Sequence, residues 1–270
     1  MRRAEVRRID GMAAGDVPRL AAVMRVFFFG LVATAVAVAV MGSRAAHADT
    51  VASLLGNFTI NQYSGVALKA DAVAVHRAVV FGQLPALREL HVADTDGDGV
   101  TTDAEREAYG AQRAQAWADE LDLIVDGKRV PLHVVRSTTS LPTEQGGFSL
   151  RVDADFEAPM SLERGAAHTL TYANRNFNGR FGWNEIAVTT AAPWNAFDAN
   201  TFDTSLTGGL TEALQALPAS GPLQERSVHL QFFAGAIPAG AVALGPRDGM
   251  AGSSAGKTSG PAATPADRAS

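Results

Sequence analysis

From Asn57 the chain alternates: Phe58, Ile60 and Gln62 interleave with Thr59, Asn61 and Tyr63. That is the two-residue period of a β-strand, whose successive side chains face opposite ways. Ala72 to Val80 is short in period and rich in β-branched residues, and predicts a second strand. The period then lengthens. Leu84, Leu87 and Leu90 recur at helical spacing, with Pro85 in the first turn, and predict a helix. An acidic stretch follows, and a second helix is predicted from Thr102. Thr102-Asp103-Ala104-Glu105 is a capping box, in which the Thr and Glu side chains satisfy backbone donors that the helix start leaves without partners. Tyr109, Trp117 and Leu121 fall at multiples of four and read as a core stripe.

Strand character returns after Leu121. Leu123-Ile124-Val125 and Val130 to Val135 flank Asp126-Gly127, a hairpin signal. Phe148, Leu150, Val152, Ala154 and Phe156 share one face of a further strand. His168 to Tyr172, Ile186 to Thr190 and Val228 to Phe233 are strand segments, and Leu210 to Leu217 is a short helix. The expected fold is mainly β: an antiparallel, sandwich-like domain over residues 49–235, with a helix–loop–helix inserted at about 84–121. Residues 236–270 are rich in Ala, Gly, Pro and Ser and are expected to form a disordered tail.

The N-terminus changes this picture. Val26 to Met41 is a run of 16 residues without charge, with Arg25 before it, Arg44 after it, and Ala46-His47-Ala48 as a small-residue cleavage site. This is the order of a secretory signal, so residues 1–48 are read as a signal peptide or an uncleaved anchor. Met24 is the more natural start, which makes residues 1–23 an overlong gene start. The protein is then extracytoplasmic, either secreted or held on the outer face of the cytoplasmic membrane. The first 48 residues hold seven arginines and three acids; 16 basic and 25 acidic residues follow them, a net of −9. An acidic domain lacks the basic face that phosphate contacts need, which argues against nucleic-acid binding. The chain has no cysteine, which excludes disulfides, thiolate metal sites and cysteine nucleophiles.

The acidic stretch carries the candidate chemistry. Asp94-Thr95-Asp96-Gly97-Asp98-Gly99-Val100-Thr101-Thr102-Asp103-Ala104-Glu105 fits the twelve-residue EF-hand template. Asp94, Asp96 and Asp98 stand at positions 1, 3 and 5, and Gly99 at the sharp turn of position 6. Val100 offers its backbone carbonyl, Thr102 a water-mediated contact, and Glu105 two carboxylate oxygens. Calcium takes six to eight oxygens at tolerant distances, which suits this set. One Ca2+ is expected, in a structural role. Thr101 replaces the aliphatic residue that bridges paired loops, and no partner loop is found: Asp198-Ala199-Asn200 lacks the following acid and glycine. A lone site of this kind binds on the order of 10⁻⁴ to 10⁻³ M.

Other signals are weaker. Ala251 to Thr258 resembles a phosphate-binding loop but lacks its first glycine, so no nucleotide is expected. No two histidines outside the leader lie at i+2 or i+4, and no G-x-S-x-G or H-E-x-x-H motif is present. The chain is not expected to be an enzyme.

Leu55-Gly56-Asn57-Phe58-Thr59-Ile60-Asn61-Gln62-Tyr63-Ser64-Gly65 and Phe181-Gly182-Trp183-Asn184-Glu185-Ile186, with the acidic loop between them, resemble the extracytoplasmic N-terminal domain of actinobacterial nickel/cobalt-transporter-like membrane proteins. The likeness spans roughly residues 53–235. The family opens with His-Pro-Leu-Gly-Asn-Phe and continues Asn-His-Tyr. This chain has Ser53-Leu54-Leu55-Gly56-Asn57-Phe58 and Asn61-Gln62-Tyr63, so no nickel ligand is carried over. The resemblance implies a role accessory to metal-ion transport beside a membrane transporter partner. The alternative is a cell-envelope interaction module unrelated to transport.

Overall fold

The structure is a computed structural model that describes residues 55–144, 147–212, 218 and 220–247. The signal segment, most of the short helix expected at Leu210 to Leu217, and the chain beyond 247 lie outside the described residues. Among the described residues, no helix is long and apolar enough to cross a membrane.

The protein is mainly β. One five-stranded sheet runs in the order β10 (Asn184–Thr190), β1 (Ile60–Leu68), β2 (Ala72–Phe81), β8 (Leu150–Pro159), β5 (His133–Ser140). The second runs β11 (Asn195–Phe197), β12 (Ser227–Phe233), β9 (His168–Asn174), β3 (Leu121–Val125), β4 (Lys128–Arg129). A small hairpin joins β6 (Thr143–Glu144) to β7 (Gly147–Phe148). The expectation of wholly antiparallel pairing is corrected at one edge: β1 and β10 run parallel, with Gln62 opposite Asn184. Nearly the whole domain separates them in sequence, so no hairpin constrains their direction.

The expected hairpin at Asp126-Gly127 is present, both residues having positive φ (49° and 74°) as a tight two-residue turn requires. Its second arm is shorter than expected. After Arg129 the chain crosses through Pro131 and Leu132 to the other sheet, where β5 pairs with β8. Leu132 is buried at this crossing.

One hydrophobic core joins the sheets. Val66, Val73, Val75, Ala154 and Phe156 of the first meet Leu123, Leu170, Tyr172, Leu230 and Phe232 of the second. Strands β2 and β8 have ten residues each, about 33 Å, whereas β3 and β9 have five and seven, about 17 to 24 Å. The shorter sheet cannot cover the longer. Helices α1 (Gln83–Ala93) and α2 (Asp103–Asp119) cover the remainder: Val79, Phe81, Leu150 and Val152 pack against Ala86, Ala93, Tyr109 and Trp117. The inward stripe of α1 is therefore Ala86, Leu90 and Ala93. Leu84 and Leu87, which define its helical period in the sequence, are exposed. Leu121 is buried as expected but opens β3, because α2 ends at Asp119.

The expected domain end at residue 235 is also corrected. Residues 236–247 stay on the fold: Asp198 donates its N–H to the Val242 carbonyl at 2.8 Å and Leu244 donates to Ala196 at 2.9 Å. Arg247 closes the segment with a bidentate pair to Glu225 at 2.8 and 3.1 Å. Composition missed this because the segment is held by backbone pairing, which Ala and Gly supply as well as any residue.

Candidate metal centre

The acidic loop begins where α1 ends. Asp94 donates its N–H to Leu90 O at 2.9 Å, and the Thr101 hydroxyl donates to the same carbonyl at 3.1 Å. The loop then folds around its own carboxylates. Asp94 accepts Gly97 N–H on Oδ1 at 2.9 Å and Gly99 N–H on Oδ2 at 3.0 Å. Asp96 accepts from Asp98 N at 3.2 Å, and Asp98 from Val100 N at 2.7 Å. Gly97 and Gly99 adopt φ of 72° and 85°, a left-handed geometry that costs a residue with Cβ. These turns bring Asp94, Asp96 and Asp98 together, one oxygen of each lying within 4.8 Å of the others. Among the described residues, no other group of three His, Cys, Asp or Glu side chains converges in this way. In bulk water such a pair of charges repels by about 0.9 kcal/mol. Exposed acids tolerate that without an ion, so proximity alone does not establish a metal.

Glu105 stands apart from this trio. Its Oε2 accepts from Thr102 N and Oγ1, both at 2.9 Å, and its Oε1 from Thr95 N at 2.8 Å and Thr95 Oγ1 at 2.9 Å. The Thr102 N–H, then Thr95 N–H and the two hydroxyls, lower its pKa to about 2. The predicted capping box is thus present, and Glu105 also ties the start of the loop to the start of α2. Thr102 uses its hydroxyl for the cap. Val100 is exposed and directs its N–H at Asp98.

Behind the loop, Glu89 of α1 accepts from Tyr109 OH and, at 2.8 Å, from Arg113 of α2. On the far side α2 lies close to β5, where a Cβ on Gly110 would sit 2.6 Å from Thr139 Cγ2. The loop therefore joins two helices already fixed to the sheet and to each other.

Two further constellations were not singled out in the sequence. On the outer face of the first sheet, Arg136, Asp155, His76, Asp153 and Arg151 form a chain of ion pairs: Arg136–Asp155 at 2.6 Å, His76–Asp155 at 2.7 Å, His76–Asp153 at 3.5 Å and Arg151–Asp153 at 2.7 Å. A cavity of about 290 Å³ opens beside His76 and Asp155. The signal was available, since the alternation that buries Leu150, Val152 and Phe156 puts Arg151, Asp153 and Asp155 on the opposite face. The second is Arg77, fully buried on β2, whose Nη2 donates to Gln62 Oε1 at 2.6 Å. Nothing in the local sequence sets it apart from a solvated arginine.

No family model matches the sequence. Among curated proteins, likewise, nothing matches it.

Proposed function

We propose that this is an exported or membrane-attached calcium-binding domain: a β-sandwich into which one EF-hand-type loop, Asp94–Glu105, is inserted, with calcium as a structural clip. The observation that carries this reading is the convergence of Asp94, Asp96 and Asp98 on a loop whose twelfth residue is Glu105. The core shared by the two sheets supports the sandwich, and the placement of the helices between β2 and β3 supports the insertion. The ligand set is Asp94, Asp96, Asp98, the Val100 carbonyl, Thr102 through water, and Glu105. All are oxygen donors, the hard set that calcium prefers. The ion would relieve the repulsion among the carboxylates and hold the loop between the two helix ends in one shape. By resemblance, the domain serves metal-ion transport as an accessory to a membrane partner.

Titration calorimetry with calcium, nickel and cobalt in parallel tests the metal. Binding is expected for calcium at about 10⁻⁴ to 10⁻³ M. At about 10 mM calcium such a site adds about 1.4 to 2.7 kcal/mol, or about 3 to 10 °C in melting temperature. Glu105→Gln is expected to abolish that gain, while glutamine still completes the capping box. An unchanged wild-type melting curve in excess calcium would sink the reading.

A further inference from the structure

Four of the large exposed apolar side chains come from one corner of the fold. Phe58 is 74% exposed, Phe181 60%, Leu87 49% and Leu84 45%. Backbone hydrogen bonds hold their three segments together: Leu84 N–H to Asn57 O at 3.1 Å, Gly82 N–H to Thr59 O at 2.9 Å, and Ile60 N–H to Phe181 O at 3.0 Å. The approach is close enough that a Cβ on Gly182 would lie 2.1 Å from the Ile60 carbonyl oxygen. These side chains are therefore displayed from fixed backbone. On α1, Leu84 and Arg88 are one turn apart with Leu87 between them, so they share a face. Arg88 and Arg180, which adjoin Leu87 and Phe181, are exposed as well.

We infer that this corner is a membrane-docking surface that inserts Phe58, Phe181, Leu84 and Leu87 among lipids while Arg88 and Arg180 meet anionic headgroups. Two observations select a bilayer as the occupant. Aromatic and aliphatic tips beside arginines match the amphipathic chemistry of a lipid interface, although the domain as a whole is acidic. Thirteen residues separate the apolar run Val26 to Met41 from Leu55, and Phe58 follows three residues later. An extended chain of that length reaches at most about 45 Å. With the run in a bilayer, this corner is the first part of the domain along the tether. The inference rests on the exported, membrane-attached reading above.

The chain from His47 onward, which keeps every described strand and helix, is sedimented with phosphatidylcholine vesicles with and without phosphatidylglycerol. Binding is expected with the anionic vesicles. Phe58→Ser with Phe181→Ser should weaken it at least tenfold at an unchanged melting temperature, and Arg88→Gln with Arg180→Gln should remove the preference for phosphatidylglycerol. Failure to sediment with either vesicle, or equal binding by the Phe58→Ser, Phe181→Ser variant, overturns the inference. So does a concentration-dependent dimer that this variant abolishes, which assigns the corner to a second copy. Should the variant fail to fold, a Phe181→Trp protein takes its place, and the absence of a fluorescence blue shift on vesicles overturns the inference. Export is read separately by fusing alkaline phosphatase behind residues 1–54. An inactive fusion alongside vesicle binding defeats the export reading and not the lipid affinity.

Discussion

Arg77 carries a charge into the interior, where the Gln62 carbonyl, Tyr172 and the Trp117 ring offset its burial only in part. Its guanidinium lies 5.3 Å over the Trp117 ring, and Nε and Nη1 find no partner among the described residues. Burial lowers its pKa to about 10. A desolvated cation over an aromatic ring gains about 2 kcal/mol, less than the several kcal/mol that desolvation costs. Arg77→Met, similar in length and uncharged, is therefore expected to hold or raise the melting temperature, while Gln62 Oε1 keeps its bond from Asn174 at 3.0 Å. A large loss of stability would show that Arg77 is better compensated than its contacts suggest. Trp117→Ala, which uncovers Arg77 and Phe177 together, should cost about 3 to 5 kcal/mol in denaturant titration. His76 behaves oppositely. A side-chain hydrogen bond to Asp153 counts for most in raising its pKa above the usual 6.5; burial opposes the shift, and the Asp155 hydrogen bond and the charges of both acids add to it. A raised pKa in the folded state gives stability that is fully present below pH 6.5 and lost as pH climbs through the raised value. Wild type should thus exceed His76→Gln most near pH 5.5, by roughly 0.5 kcal/mol since the ring is nearly half exposed. Melting curves from pH 5.5 to 8.5 should converge.

At the scale of elements, junctions matter more than the elements themselves. The start of α2 was legible because a capping box is a local pattern, and local patterns survive folding. Thr102→Ala should cost about 1 kcal/mol. It also removes the water-mediated ligand of the proposed site, so it should weaken the calcium response as well. The segment bearing Phe181 meets β1 through Gly182, and no local rule marks that glycine. Gly182→Ala should cost about 3 kcal/mol or more, because the atom in its way is backbone of β1. Circular dichroism melts of the two variants should differ accordingly. The leucines of α1 mislead for a related reason. Their spacing reports a helix faithfully, but the face that packs is the one with small residues, since Ala86 and Ala93 let α1 sit close to the sheet.

For the whole molecule, residues 236–247 are a seam and not a tail. Ending the chain at Gly235 removes the backbone bonds from Asp198, Asp203 and Leu244 and the Arg247–Glu225 pair. The melting temperature should fall by several degrees, at about 2 to 4 °C per kcal/mol for a domain of this size. An unchanged melt would restore the tail reading.

The sequence by itself determined what depends on neighbours along the chain: the strand segments with two-residue period, the Asp126-Gly127 turn, the capped α2, and the carboxylate spacing of Asp94, Asp96 and Asp98. Each is decided by backbone preference within a few residues. Only the tertiary structure decided the parallel pairing of β1 with β10, the sealing of Arg77, the ion-pair chain through His76, and the exposure of Leu84 and Leu87. Those follow from which surfaces meet, and here the meeting is forced by a length mismatch: two long strands whose ends a shorter sheet leaves bare for helices to cover.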